Sequence, residues 1–198
     1  MTRFGWVFRK ILWYLNNNNL KSQRAWNEQY LNGDWDCLAS ELEECRFAAV
    51  RNSIDKHCNQ KSKVLDVGCG AGLLLKNAKH SIFDQYIGID ISNVAIERAR
   101  TNKKSNIKYI CADMENYYSA TKFDMIIFNE SLYYSKNPHK LINRYVEFLN
   151  KGGYLIFSIF EAKNHLNLIR GLQKDFPAIE TTRSNNKRGS WYCHVHKI

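Results

Sequence analysis

Three aspartates and three glycines are the residues whose types and spacing could do chemistry. Asp66 lies within VLDVGCGAG (residues 64–72), Asp90 closes YIGID (86–90), and Asp113 follows IKYICA (107–112). Gly68, Gly70 and Gly72 permit a tight turn and close approach of a ligand to the backbone. The spacing is GxGxG where a dinucleotide-binding loop has GxGxxG, and Asp66 sets a negative charge where a pyrophosphate would lie. An anion is the wrong ligand for that acid, and a ligand with a cationic end suits it.

S-adenosyl-L-methionine carries an ammonium and a sulfonium at its methionine end, with a ribose and an adenine behind them. Asp90 stands eighteen residues past Gly72, where a carboxylate accepts hydrogen bonds from both ribose hydroxyls. Asp113 is placed to accept the adenine amino group while Met114 covers the ring. Alone, each acid reads as a solvated strand end or a helix cap. Three in succession, ordered methionine, ribose, adenine, specify a ligand.

The elements that must position these residues are short apolar, β-branched runs: KVLDVGC (63–69), YIGIDI (86–91), IKYICA (107–112), FDMIIFN (123–129) and YLIFSIF (154–160). Helical stretches of about a dozen residues are expected between them, which implies right-handed crossovers and a mostly parallel sheet covered on both faces. Gly152 and Gly153 punctuate the helix expected before the fifth run. Beyond it come a helix near 163–175, a strand near 178–183, the turn NNKRG and a final strand SWYCHVHKI; that tight connection makes the last pairing antiparallel. Upstream, 21–31 and 38–58 read as helices, with Trp26 and Tyr30 one turn apart and able to close over a ligand. The reading is one α/β domain over 1–198, with a helical cap over 1–60 and a three-layer core over 61–198.

Composition narrows the class. At 198 residues and 44% hydrophobic content the chain has material for one core. Six cysteines, at 37, 45, 58, 69, 111 and 193, contain no CxxC, so reduced thiols in a cytoplasm are expected rather than a zinc ribbon or a disulfide framework. No run of eighteen apolar residues occurs, which argues against a membrane span. Phe4, Val7, Phe8, Ile11, Leu12 and Leu15 follow helical spacing beside Arg9 and Lys10. That segment suits a membrane surface through residues 3–15, at the inner face of the membrane, or packing on the domain; its narrow stripe favours packing. The net charge of +10 implies attraction to something acidic.

On VLDVGCGAG, YIGIDIS, CADMEN and FDMIIFNESLYY, the chain resembles the class I S-adenosylmethionine-dependent methyltransferases. The resemblance covers about 64–160 strongly and implies a Rossmann-like, seven-stranded, mostly parallel sheet with an antiparallel last strand. NESLYYS with WNEQYLNGDWD is most similar to small bacterial enzymes acting on small molecules, including nodulation-type sugar N-methyltransferases and others of surface-polysaccharide pathways. It implies S-adenosyl-L-methionine contacts from Asp66, Gly68, Cys69, Gly70, Asp90 and Ile91. Asp113, Met114, Asn129, Glu130 and Trp26 complete that set.

Methyl transfer from a sulfonium gains most from alignment and needs few catalytic groups. An amine or hydroxyl acceptor must still lose a proton, and Glu130 is the first choice of base, with Tyr133 and Tyr30 beside it. Tyr134 walls the pocket or fills the space under the loop. Arg46 is the cap cation that an anionic substrate would meet, against a default of a solvated helix face. The expected partner is therefore a small molecule, with anionic and lipid-linked acceptors included. His194 and His196 share one strand face but lack a third ligand, so no metal is expected. A nucleic-acid substrate would use the positive charge, but NESLYY lacks the prolines of base-amine methylation and no RNA-binding module fits. A membrane-surface protein keeping the fold without turnover would not need Asp66, Asp90 and Asp113.

Overall fold

Val64, Leu65 and Val67 are all fully buried in β1 (Lys63–Val67), and a strand without a solvent face belongs in the middle of a parallel sheet. The computed structural model, which describes residues 22–76, 83–101 and 104–198, places it there. β2 (Gln85–Asp90) and β4 (Phe123–Asn129) pair with its two edges in parallel. β3 (Ile107–Cys111), β5 (Leu149–Phe160), β6 (Ala178–Asn186) and β7 (Gly189–Lys197) complete a seven-stranded sheet of order β3-β2-β1-β4-β5-β7-β6. β7 alone runs against its neighbours. Strand order reverses between β1 and β4, which opens a crevice at their carboxyl ends.

Alternation along the strands divides the core between two faces. Val64, Met125, Ile127, Ile156 and Val195 pack against Phe47, Val50 and Ile54 of α2 (Glu44–His57). Leu65, Ile126, Phe128, Leu155 and Phe157 pack against Leu141 and Tyr145 of α4 (Pro138–Val146) and Ile169 and Leu172 of α5 (Lys163–Asp175). α3 (Asn93–Ala99) covers β2 and β3, and α1 (Gln23–Leu31) crosses the carboxyl end of the sheet against α3. Of the expected cap, α2 is thus one of the covering helices of the core.

Several expected helices are shortened or absent for local reasons. Residues 38–58 are not one helix: short 3-10 turns span Asp36–Ala39 and Glu41–Glu43 before α2. Ser40 between them is extended, and its hydroxyl bonds the Cys37 carbonyl at 2.8 Å, which competes with helical pairing. Residues 113–122 form no helix, because Asp113 and Ser119 side chains accept the N–H groups of Glu115 and Thr121 at 2.9 and 3.1 Å. Gly152 and Gly153 do not punctuate a helix; they lie inside β5, opposite a register shift between Phe123 and Met125. After β1 the chain forms a 3-10 turn, Leu73–Leu75. The basic amphipathic segment 3–15 lies outside the described residues. All six cysteines are free, and no helix among the described residues is long and apolar enough to cross a membrane.

Candidate functional site

The turn after β1 has positive φ at Gly68, Gly70 and Gly72 (78°, 55° and 72°). A Cβ on Gly68 would lie 2.4 Å from the Ser131 Cβ, so room as well as angle reserves that position for glycine. Four N–H groups of the loop are bonded inside the protein. Gly68 and Cys69 donate to the Ile89 carbonyl at 2.8 and 2.9 Å, Gly70 to Asp90 Oδ2 at 2.9 Å, and Gly72 to the Cys69 carbonyl at 3.0 Å. A pyrophosphate cradle aims such groups at its ligand. This loop instead offers glycine faces with carboxylates behind them.

Asp66 is buried on the α2 side of the sheet. Its Oδ2 accepts the Tyr86 hydroxyl at 2.5 Å, while Oδ1 has no partner among the described residues. Burial pushes this carboxyl up to about 7, against the Tyr86 hydrogen bond and with the help of nearby Asp90. Asp90 accepts the N–H groups of Gly70 and Ser92 at 2.9 and 2.8 Å, and burial still raises it to about 6. Burial also lifts the Cys69 thiol well above its ordinary value. Asp113 is engaged by its own turn, taking Glu115 N–H on one oxygen and Asn116 Nδ2 at 2.8 Å on the other. Met114 packs beside it at the edge of the α4-side core, and its carbonyl accepts the Tyr145 hydroxyl at 3.0 Å.

α1 is held over this edge by polar contacts. Ser22 caps its N-terminus, and Gln23 Nε2 donates to the Ile91 carbonyl at 2.9 Å. Asn27 accepts the Ser92 hydroxyl at 2.8 Å and donates to Asn93 Oδ1 at 2.6 Å. One turn on, the Tyr30 hydroxyl lies 2.8 Å from where a Gly70 Cβ would sit, and Arg98 donates to the Tyr30 carbonyl at 2.5 Å. Trp26 meets Trp35 at 5.6 Å and Tyr134 edge-on at 4.9 Å between ring centroids. Asn27 and Ser92 escaped the sequence reading; the Ser92 cap of α3, two residues after the YIGID acid, was the available signal.

At the end of β4, Glu130 carries the sole positive φ of a non-glycine residue among those described, 59°. Its N–H donates to the Ser158 carbonyl at 2.9 Å, and the Tyr133 hydroxyl donates to its Oε2 at 3.0 Å. Burial raises the carboxyl to about 7, opposed by Arg46, Tyr133 and the Trp191 indole. Asn129 Oδ1, Glu130 Oε1 and Ser158 Oγ are buried and lack partners among the described residues. Tyr133 stacks on His165 at 4.3 Å and Tyr134 tilts against Tyr133 at 4.7 Å. Arg46 is not on a solvated face: it is 4% exposed and donates to Glu43. His194 and His196 do share a face of β7, with their Nδ1 atoms on Thr181 Oγ1 and the Phe176 carbonyl at 2.9 and 2.7 Å.

The structure therefore brings Asp66, Gly68, Cys69, Gly70, Asp90, Tyr30 and Trp26 to one crevice, with Asn129, Glu130, Tyr133 and Tyr134 at its β4 side. Residues 39–195 match the model of a family described as a methyltransferase domain. The chain is 27% identical over 165 residues to a malonyl-[acyl-carrier protein] O-methyltransferase of Paenibacillus sp. (strain JDR-2), covering 78% of this chain and 59% of that protein. It is 36% identical over 111 residues to a ubiquinone biosynthesis O-methyltransferase of Coxiella burnetii, covering 53% of this chain and 47% of that one. The chain spans about half the length of the curated relatives it matches. Among solved structures, the N-methyltransferase NodS from Bradyrhizobium japonicum WM9 in complex with S-adenosyl-L-homocysteine superposes with a TM-score of 0.69 at 21% identity, covering 96% of this chain and 97% of that one. At that identity the likeness speaks for the fold.

Proposed function

The chain belongs to the methyltransferase-domain family, and from that premise we propose that it takes its methyl group from S-adenosyl-L-methionine and methylates an amine or hydroxyl of a small molecule, a sugar or related metabolite, with Glu130 as base. The observation that carries this reading is a glycine loop whose Gly68, Cys69, Gly70 and Gly72 N–H groups are bonded inside the protein, beside a buried carboxylate oxygen, Asp66 Oδ1, that has no partner among the described residues. A cationic ligand end fits such an oxygen, and a pyrophosphate does not. Asp66 would hold the ammonium end, Asp90 would accept from the ribose through its remaining lone pairs, and Tyr30 and Trp26 would lie over the loop. The relatives named above as N- and O-methyltransferases support an acceptor of this chemistry.

S-adenosyl-L-methionine supplies, when bound, an activated methyl group on a cationic sulfur that leaves readily. What the chain must add is position and a proton acceptor. Glu130 suits the second task, because a carboxyl at about 7 is half ionised near neutral pH and its Oε1 has no hydrogen-bond partner among the described residues. Tyr133 orients it through the hydroxyl on Oε2. Trp26, Tyr133 and Tyr134 exclude water from the same end. The test pairs calorimetric binding of S-adenosyl-L-homocysteine with turnover of labelled donor on a sugar and amine panel. Glu130→Gln should leave affinity for the product cofactor unchanged and lower turnover about 10²- to 10⁴-fold; equal turnover would remove Glu130 from the role, and a wild type that binds no cofactor would overturn the assignment.

A further inference from the structure

Asp66 interrupts an apolar surface. Val64, Met125, Ile127 and Ile156 lie on its face of the sheet, and a carboxyl among them costs desolvation that an apolar residue would avoid. Among the described residues one donor offsets that cost: the Tyr86 hydroxyl, 2.5 Å from Oδ2, a separation usual for a hydroxyl on an ionised carboxylate. Tyr86 reaches it diagonally. In the β1–β2 register Tyr86 lies opposite Val64 and Gly88 opposite Asp66, so the phenol leans one pair along the strand. Its ring is packed on two sides, by Phe83 tilted against it at 5.5 Å and by Tyr109 edge-on at 6.2 Å between centroids. Tyr109 in turn fills the space that a side chain at Gly88 would need, since a Cβ there would lie 2.8 Å from the Tyr109 ring. A wholly buried phenol packed in this way is held on one carboxylate oxygen.

That choice of oxygen has a chemical consequence. Burial keeps the Tyr86 hydroxyl protonated, with Asp66 acting in the same direction, so its proton goes to Oδ2. Oδ1, which has no partner among the described residues, is then the oxygen on which a neutral Asp66 carries its own proton and an ionised Asp66 offers lone pairs. A packing role needs neither residue, because a Phe and a Val would fill similar space without burying polar atoms. The other titratable groups that feel Asp66 are Asp90 on β2, Cys69 in the loop and Tyr109 on β3. α2 meets this face through Phe47, Val50 and Ile54, and its Arg51 is taken by Glu44 and, at 3.3 Å, by the Leu74 carbonyl.

We propose that Tyr86 is a positioning residue for the methyl donor: by holding Asp66 Oδ2 it leaves Oδ1 to receive the donor's ammonium and stabilises the carboxylate that does so. The inference rests on the assignment of Asp66 to the ammonium end and adds the residue that orients it. Tyr86 itself touches no part of the donor.

The test is calorimetry on the full chain with S-adenosyl-L-homocysteine and with 5′-methylthioadenosine, which keeps the adenosine and the thioether and lacks the amino acid end. Losing one hydrogen bond to the ionised carboxylate corresponds to about one pH unit in its titration. Tyr86→Phe should therefore weaken S-adenosyl-L-homocysteine about tenfold at pH ~6 and no more than about twofold at pH ~8.5, where Asp66 is ionised before the ligand arrives. 5′-Methylthioadenosine should bind wild type and variant alike at both pH values, whereas a merely structural role would weaken both ligands throughout. In the Asp66→Asn background Tyr86→Phe should change S-adenosyl-L-homocysteine affinity by less than about twofold, and this pair serves if the single variant does not fold. An unchanged affinity in Tyr86→Phe at the acid pH, an equal loss at both pH values or for both ligands, or a clear loss in the Asp66→Asn background overturns this proposal alone. Unchanged S-adenosyl-L-homocysteine affinity in Asp66→Asn overturns the ammonium assignment, and failure of the wild type to bind either ligand overturns the methyl-donor reading, each taking this proposal with it.

Discussion

Cofactor binding should be coupled to release of a proton from Asp66. Its carboxyl ordinarily titrates near 3.8 and stands at about 7 in the folded chain, because burial outweighs the Tyr86 hydrogen bond. About three pH units correspond to roughly 4 kcal/mol at ~1.4 kcal/mol each. The sign follows directly. Below the ordinary value both folded and unfolded chains hold the proton; between that value and about 7 only the folded chain does. Stability is thus lost as pH rises through this window. A bound ammonium reverses the preference, since it favours the ionised form. Affinity for S-adenosyl-L-homocysteine should therefore tighten by nearly tenfold per pH unit from about pH 5.5 to about pH 7 and then level off. Asp90, raised to about 6, adds to the slope at the acid end. Calorimetry in two buffers of different ionisation enthalpy counts the protons: about one should leave per site near pH 6 and few at pH ~8.5. Asp66→Asn should flatten the slope above about pH 6 and weaken binding at pH ~8. An affinity independent of pH, or a slope unchanged in Asp66→Asn, would refute the reasoning.

Two glycines with nearly the same φ should respond differently to a methyl group. Gly68→Ala meets Ser131 at 2.4 Å and should cost several kcal/mol, whereas Gly152→Ala, at φ 79° with nothing among the described residues within 4 Å, should cost about 1–2 kcal/mol from backbone strain alone; urea midpoints compare them. Asn27→Ala removes the bonds to Ser92 and Asn93 that hold α1 over the crevice, so S-adenosyl-L-homocysteine should dissociate faster while the unfolding free energy from urea titration falls by about 1 kcal/mol or less. Stopped-flow release of the cofactor reads the first effect, and an unchanged rate would detach α1 from cofactor retention.

The central sheet was legible because β1, β2 and β4 are buried on both faces, and such strands must be short runs of Val, Ile, Leu and Phe. The glycine turn was legible because positive φ narrows the residue choice. What sequence concealed has one physical pattern: side chains competing with the backbone. Ser40, Asp113 and Ser119 each take a main-chain group that a helix would have used, and periodicity contains no trace of it. The ion pairs of Glu43 with Arg46 and Arg188 were half visible. Glu43 and Arg46 are three apart and suggest a pair, but Arg188 reaches Glu43 across 145 positions through the β6–β7 turn. Read alone, Arg46 became a surface residue, because only that long-range partner and the sheet beneath explain why a guanidinium is buried there.

Buried groups of opposite response share the pH range of the cofactor-free chain, and this makes its stability profile a test of the whole site. Asp66, Asp90 and Glu130 are all raised by burial, to about 7, 6 and 7, so each lowers stability as pH climbs from its ordinary value. His194, brought from 6.5 to about 4, and His165 and His196, also lowered by burial, act oppositely: they stay neutral in the folded chain while the unfolded chain takes up protons below 6.5. For His194 the loss on acidification amounts to roughly 3 kcal/mol. Over the interval from about pH 4.5 to about pH 6 the two sets oppose each other, so the histidines offset part of the loss of unfolding free energy that the carboxyls bring as pH rises. Saturation with S-adenosyl-L-homocysteine ionises the carboxyls at the cofactor end without changing the histidines, which lie on the α5 side of β7 and behind Tyr133. The ligand should therefore tilt the profile toward greater stability at higher pH, and His194→Gln should reduce its acid limb. Urea titrations at several pH values measure both curves. Parallel profiles with and without ligand would mean that the crevice carboxyls do not meet its cationic end, which is the physical basis on which this loop is assigned a methyl donor.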